Sequence, residues 1–100
     1  MEKLSPEQIQ NHLDGDLPQW SLLGDAITRA YQFADFNLAI KFVNQVAKAA
    51  EHADHHPDIL IRYNKVSLTL STHDAGGITE KDMALAQQTD QLAESMGVQP

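Results

Sequence analysis

The segment from residue 35 to residue 53, DFNLAIKFVNQVAKAAEHA, constrains the fold of this 100-residue chain more than any other stretch. Apolar residues recur along it at steps of three and four: Phe36, Ala39, Ile40, Val43, Val46, Ala47 and Ala50. Polar residues fall on the opposite side: Asn37, Lys41, Asn44 and Lys48. This spacing predicts an amphipathic helix, and Asp35 is placed to cap its N-terminus.

Three more apolar residues widen the stripe of this helix. Leu38, Phe42 and Ala49 extend it beyond what contact with one sheet face requires. The wide stripe indicates either a surface for a protein partner or a helix that the core covers well. Apolar stripes usually belong to the core, which favours the second interpretation.

A pair of short strands is predicted before the helix. Gly24-Asp25 is a turn signal between two apolar runs. We therefore expect strands at 19–23 and 26–33.

A second hairpin is predicted after the helix, within residues 58–72. Its second half alternates between two faces, with Val66, Leu68 and Leu70 on one side. By the same alternation, His73 joins the polar side if the strand continues that far. Asn64-Lys65 is the predicted two-residue turn, since asparagine tolerates a positive φ.

Helices are also predicted near both ends of the chain. Ser5, Pro6 and Gln8 form the start of a helix at 5–14, and Gly15 ends it. Thr79 caps a last helix at 80–96, before Gly97. The predicted fold is α+β, a single domain over residues 1–100. Its order is α-β-β-α-β-β-α, with a four-stranded antiparallel sheet covered on one face by three helices.

The charge balance argues against several classes of function. The chain carries 14 acidic and 7 basic residues, a net charge of −7, and the basic residues form no stripe. Such a surface repels phosphate backbones, so we expect no direct nucleic-acid binding.

No apolar run is long enough for a membrane span, and no signal peptide is visible. With no cysteine present, we expect a cytoplasmic protein without disulfide or thiol chemistry.

Four of the five histidines lie in the stretch EHADHHPDILIRYNKVSLTLSTH: His52, His55, His56 and His73. A metal site using these imidazoles with Glu51 or Asp74 is disfavoured. His55 and His56 are adjacent and diverge in most backbone geometries, and no HExxH motif is present. Histidines at a helix end are also common without any catalytic role, because the charged form suits the helix dipole.

Acid/base catalysis is the alternative that the pattern leaves open. Histidine titrates near neutral pH, and imidazoles from a helix end and a strand end can converge on one cleft. Asp54, Glu51 or Asp74 is placed to orient a ring. No nucleophile or phosphate-binding loop is apparent, so unaided proton transfer suits an easy reaction such as a dehydration.

The same residues resemble those of the pterin-4a-carbinolamine dehydratase family, whose mammalian form is also the dimerisation cofactor of a homeodomain transcription factor. The resemblance is carried by Glu51, His55-His56-Pro57, Tyr63-Asn64-Lys65-Val66, Thr72-His73, Gly77 and Asp82. It continues through Trp20, the DAI of 25–27 and the DFN of 35–37, and covers the chain from Trp20 to about residue 95. One departure is Ile59, where the mammalian pattern carries an aromatic residue.

The resemblance implies the fold order given above and a reaction, the loss of water from 4a-hydroxytetrahydropterin to give quinonoid dihydropterin. No metal and no organic cofactor is implied. The implied catalytic residues are His55, His56 and His73, with His55 and His73 as the acid/base pair and His56 positioning the substrate. The implied substrate-binding residues are Glu51, Pro57, Thr72 and Asp74.

Several of these residues have ordinary structural explanations as well. Glu51 equally fits a solvated helix surface, and Thr72 a strand end. Asp82 is equally a first-turn helix acid, and Trp20 is expected to pack rather than to stack on substrate.

The implied partners are a small pterin substrate and further copies of the chain, as a homodimer or homotetramer. Helix 35–53 is a second candidate contact, for a protein partner. Relatives on this fold also act as coactivators or assembly chaperones, which is the alternative function.

Overall fold

The computed structural model describes residues 1–100 and confirms the predicted order of elements. The helices are α1 (Pro6–Asp14), α2 (Phe36–Ala53) and α3 (Glu80–Ser95). The strands are β1 (Ser21–Leu23), β2 (Ala26–Gln32), β3 (Asp58–Arg62) and β4 (Lys65–Leu70). A short 3-10 turn, His73–Ala75, separates β4 from α3. The fold is α+β, as predicted, although β1 begins two residues later than expected.

The four strands form one antiparallel sheet in the order β1-β2-β4-β3. Ile27 and Tyr31 of β2 and the predicted apolar side of β4 are buried. Alternate residues of the same strands, such as Ala30 and Ser67, face away from the helices. The helices therefore cover one face of the sheet and leave the other open, because the side-chain period of a strand is two residues.

The predicted turn of the second hairpin was wrong by one residue. Arg62 pairs with Lys65, so the two loop residues are Tyr63 and Asn64. Tyr63 takes the positive φ, 54°, rather than Asn64. The side-chain nitrogen Nδ2 of Asn64 instead donates a hydrogen bond to the carbonyl of Phe33, which anchors the turn to the end of β2. Lys65 lies in β4 because its backbone is paired on both sides.

The orientation of α2 differs in part from the predicted stripe. Phe42 and Ala49, two of the residues that widen the stripe, are buried, so the core interpretation is confirmed for them. Phe36 and Ala47 were expected in the core, but both are exposed. The buried face of α2 is rotated toward Phe42 because the helix packs against both the sheet and α3.

The predicted helix starts are confirmed in detail. Ser5 and Gln8 form a capping box at α1, and Thr79 and Asp82 form one at α3. Such reciprocal bonds satisfy backbone donors that have no partner within the helix. None of the three helices combines the length and the apolar character that crossing a membrane requires.

Candidate active site

The C-terminus of α2 directs the two adjacent histidines to different sides. Asp54 adopts the left-handed conformation, with φ 50° and ψ 44°, and its N–H donates to the carbonyls of Ala50 and Glu51. This conformation ends the helix, and Pro57 prevents its continuation. His55 then points inward to α3, whereas His56 points outward and pairs with Glu51. The predicted divergence of the two rings is confirmed.

The inward ring, His55, contacts a carboxylate that is completely buried. Nε2 of His55 lies 2.5 Å from Oδ1 of Asp82, and Asp82 has no exposed surface. Oδ2 of Asp82 accepts hydrogen bonds from the Thr72 hydroxyl at 2.8 Å and from the Thr79 N–H at 2.9 Å. Asp82 also lies at the N-terminus of α3, where the helix dipole favours a negative charge.

The opposite side of the site comes from the segment after β4. The strand ends at Leu70, so His73 does not continue its polar face, contrary to the alternation expected from the sequence. Thr72 forms an isolated bridge with Gly77, and His73 begins the 3-10 turn between them. This bridge closes a tight loop that leaves His73 exposed.

The two segments enclose a polar cleft of about 240 Å³. Five of the predicted site residues line it: His55, His56, Thr72, His73 and Asp74. Glu51 and Pro57 do not, although Glu51 contacts His56. His52 lies outside the cleft and borders a separate depression between α2 and α3.

The structure adds residues to the cleft that were not predicted as site residues. Ser71 and Lys81 line it, and so does Asp54, which was considered only as a residue that orients a ring. Lys81 carries the only basic side chain there apart from the histidines. A lysine in the first turn of a helix gives no sequence signal of such a role, because its position depends on how α3 meets the loop before it.

Asp82 is the main residue whose importance sequence reasoning understated. It was treated as a helix acid, and this role is real, since it completes the capping box. Its contact with His55 joins residues that are distant in the chain, and no local pattern predicts it.

No group of three or more His, Asp or Glu side chains has an arrangement that could hold a metal ion.

The contacts of His55 determine what its ring can do. A carboxylate accepts hydrogen bonds, so the bond to Asp82 places the proton on Nε2 in the neutral ring. Nδ1 is then left as an acceptor. A carboxylate that holds one ring nitrogen fixes the tautomer and stabilises the imidazolium when the other nitrogen takes a proton. The arrangement suits proton transfer.

Trp20 does not line this cleft. Its ring is buried edge-on against Tyr31, and its N–H donates to Asp90 of α3 at 3.0 Å. The expectation that Trp20 packs in the core is confirmed.

The fold and the site together define a small α+β domain with one four-stranded antiparallel sheet and a polar cleft lined by three histidines. The family model described as pterin 4 alpha carbinolamine dehydratase matches residues 2–92. This chain belongs to that family.

Similar proteins agree with this assignment. A protein of Thermomicrobium roseum, provisionally named a pterin-4-alpha-carbinolamine dehydratase, is 56% identical over 93 residues, which are 93% of this chain and 99% of that protein. A similarly named protein of Nocardia farcinica is 54% identical, over 92% of this chain and 96% of its own length.

Solved structures show the same fold. The crystal structure of a transcriptional coactivator/pterin dehydratase from Brucella melitensis has a TM-score of 0.88 and 36% identity, and the match covers 92% of this chain and 99% of that chain. A pterin dehydratase-like protein described as a RuBisCO assembly factor in the alpha-carboxysome has a TM-score of 0.62 and 23% identity, over 74% of this chain and 86% of that chain. The second likeness concerns the fold alone.

Proposed function

We propose that this protein catalyses the loss of water from 4a-hydroxytetrahydropterin, giving quinonoid dihydropterin, in the recycling of tetrahydropterin. The observation that supports it best is the cleft that His55, His56 and His73 line, with His55 held by the buried Asp82. Family membership supplies the substrate class.

In the proposed mechanism, His55 is the general base and His73 the general acid. The C–O bond at the carbinolamine carbon breaks while the neighbouring ring nitrogen forms a double bond to that carbon. His73, as imidazolium, gives a proton to the departing hydroxyl, which leaves as water. Nδ1 of His55 takes the proton of the ring N–H.

The assignment of base to His55 rests on its partner. Asp82 stabilises the positive charge that His55 acquires on taking a proton, whereas no carboxylate contacts His73. His56 is proposed to position the substrate, since its Nε2 is paired with Glu51 at the rim. Thr72 and Asp74 line the same cleft and are proposed substrate contacts. In this scheme Glu51 acts through its contact with His56, and Pro57 acts by preventing α2 from continuing past the histidines.

A coupled assay tests this proposal. Phenylalanine hydroxylase generates 4a-hydroxytetrahydropterin, and its decay is followed in the ultraviolet with and without this protein, with EDTA present throughout. We expect faster decay with the parent protein and loss of the acceleration in a His55→Ala, His73→Ala double variant. General acid/base groups typically contribute about 10²–10⁴-fold, but the substrate also dehydrates without enzyme, so each single variant is expected to lose less.

His52→Ala is the matched control for this assay. His52 lies at the same end of α2 but outside the cleft, so its replacement is expected to leave the rate unchanged. Decay no faster than in the absence of protein, with the protein folded, would overturn the proposal. The function would then be sought in binding or assembly.

We also infer that the exposed apolar side of α2 contacts other copies of this chain, as a homodimer or homotetramer, and offers a surface for a protein partner. Phe36 is 48% exposed, and Ile59 and Ile61 of the edge strand β3 are each more than a third exposed. Large exposed apolar side chains on a helix and on the edge strand of a sheet are candidate contacts for a protein partner. This surface is also the one observation that favours the alternative, a binding or coactivator role without catalysis.

Sedimentation of the parent protein and of a Phe36→Glu variant tests this inference. We expect the variant to shift toward the monomer. Lys41→Glu, at an exposed position on the polar side of α2, is expected to leave the oligomer intact. A parent protein that sediments as a monomer at all concentrations would contradict it.

A further inference from the structure

A second concave surface lies on the open face of the sheet, and none of the predicted site residues lines it. Its volume is about 690 Å³, compared with about 240 Å³ for the histidine cleft. Small-molecule sites commonly have volumes of about 300–1,000 Å³. Ala30, Ser67 and Leu60 form one part of this surface, and Arg62, Tyr63 and Lys65 form the other.

The strand register explains why these side chains converge. Ala30, Ser67 and Leu60 form one row across β2, β4 and β3. Arg62 and Lys65 form the next row on the same face, since side chains two residues apart share a face. The small side chains of Ala30 and Ser67 leave room beside this basic row.

The side-chain charges of Arg62 and Lys65, which lie directly opposite each other at the end of the hairpin, do not stabilise it. Like charges directly opposite each other in an antiparallel pair are destabilising. Neither side chain forms an ion pair with an acidic residue. Two of the seven basic residues of a chain with net charge −7 are thus placed together without a partner.

Tyr63 adds a second local cost at the same place. Its backbone has φ 54°, a region that favours glycine or asparagine over an aromatic residue. The side chain is 69% exposed, so burial of the ring does not compensate. Residues held in such conformations cluster at ligand sites, where the side chain is needed.

We propose that this surface binds a small planar molecule that carries a phosphate group. A phosphate monoester has a charge between about −1.5 and −2 at neutral pH. Two adjacent cations therefore suit a phosphate ligand better than they suit a carboxylate ligand, which carries a single charge. The guanidinium of Arg62 fits phosphate oxygens through paired N–H donors, and Lys65 adds a point charge. The Tyr63 ring and Leu60 offer apolar contacts to the planar part.

The experiment is a titration followed by amide resonances, with AMP as the probe and adenosine and inorganic phosphate as comparisons at constant ionic strength. We expect AMP to shift the amides of residues 60–67 with saturation. Adenosine and phosphate are each expected to bind about tenfold or more weakly, since each lacks one of the two kinds of contact. The result is independent of whether the protein is a dehydratase.

An Arg62→Gln, Lys65→Gln double variant is expected to bind AMP about tenfold or more weakly, because it loses charge-assisted hydrogen bonds. It removes a repulsion, so its melting temperature is expected to equal or exceed that of the parent. Lys41→Gln, which removes an exposed charge on α2, is the matched control and retains AMP binding.

A Tyr63→Gly variant tests the contribution of the aromatic ring to binding apart from that of the two charged side chains. Glycine suits the positive φ, so this variant is expected to melt at a higher temperature while its affinity for AMP falls toward that for phosphate. The proposal is overturned if AMP causes no saturable shift near residues 60–67, or shifts the amides around His73 instead. Equal binding of AMP and inorganic phosphate would overturn it as well, by showing an unspecific anion effect.

Discussion

Asp82 lies in the first turn of α3 and Asp90 in its second half, and each accepts hydrogen bonds from residues outside this helix. Asp90 accepts from Trp20 at 3.0 Å, from Arg29 at 2.8 Å and from Tyr31 at 2.5 Å. Asp82 accepts from His55, Thr72 and Thr79. Both fix α3 in place on the rest of the domain.

The two networks differ in the cation that the carboxylate holds. A guanidinium group is a permanent cation in proteins, and the Cζ of Arg29 also lies over the Tyr31 ring, 4.2 Å from its centroid. The partner of Asp82 is the imidazole of His55, a side chain that can take up and release a proton at its second ring nitrogen. The Asp90 network therefore suits a fixed structural role, whereas the Asp82 network can fix structure and take part in proton transfer. The chemistry depends on the partner more than on the carboxylate.

Asp82→Ala is expected to have the largest effect. It leaves the His55 ring, the Thr72 hydroxyl and the Thr79 N–H without their acceptor in a buried place. Removing one partner of a buried pair costs about 3–5 kcal/mol. Denaturant unfolding measures the loss, and turnover of the folded fraction is expected to fall as well. A loss of stability without any loss of turnover would show that Asp82 is structural in the same way as Asp90.

Asp90→Ala is expected to cost about 2–3 kcal/mol, because Arg29, Tyr31 and Trp20 lose an acceptor at a less deeply buried site. Turnover per folded molecule is expected to stay at the parent level, since none of these residues lines the histidine cleft. Denaturant unfolding and the coupled assay on the same samples give both values. A fall in turnover equal to that of Asp82→Ala would contradict the proposed difference between the networks.

Tyr31→Phe is expected to have a smaller effect, about 1–2 kcal/mol, because Asp90 keeps two of its three donors.

The same variant tests how the stability of the fold depends on pH. Burial raises the pKa of the Tyr31 phenol far above its ordinary value, and the hydrogen bond to Asp90 raises it further. The native protein keeps this proton where the unfolded chain loses it, so stability is fully present below about pH 10 and is lost as the pH rises above that value.

The measurement is the free energy of unfolding of both proteins as a function of pH above neutrality. The difference between parent and Tyr31→Phe is expected to shrink above about pH 10, since only the parent loses the contribution of the phenol. All other residues are the same in both proteins, so their contributions cancel in the difference. A constant difference across this range would show that the phenol has no linked proton.

Glu51→Gln is expected to have the smallest effect on stability. Glu51 and His56 are paired, but their side chains are 76% and 58% exposed. Exposed pairs contribute about 0–1 kcal/mol, so thermal unfolding is expected to change little. A loss comparable to that of Asp82→Ala would mean that exposure does not distinguish the two histidine–carboxylate pairs.

Much of the fold could be predicted because its signals are local. The capping boxes at Ser5 and Thr79 depend on residues three positions apart, and the alternation of β4 depends on steps of two. The second turn was predicted one residue too late, at Asn64-Lys65 instead of Tyr63-Asn64. The register of β4 with β2, rather than local preference, decides which residues enter the loop.

The sequence by itself determined the element order, the capped helices and the presence of three histidines that could serve acid/base chemistry. Those features depend on neighbours along the chain. Only the tertiary structure decided that His55 faces Asp82 while His56 faces solvent, and that Ser71 and Lys81 join the cleft. It also placed the side chains of Arg62 and Lys65 beside each other on the open sheet face, without an acidic partner. These contacts join residues on different elements, and their geometry is fixed by how the helices pack on the sheet.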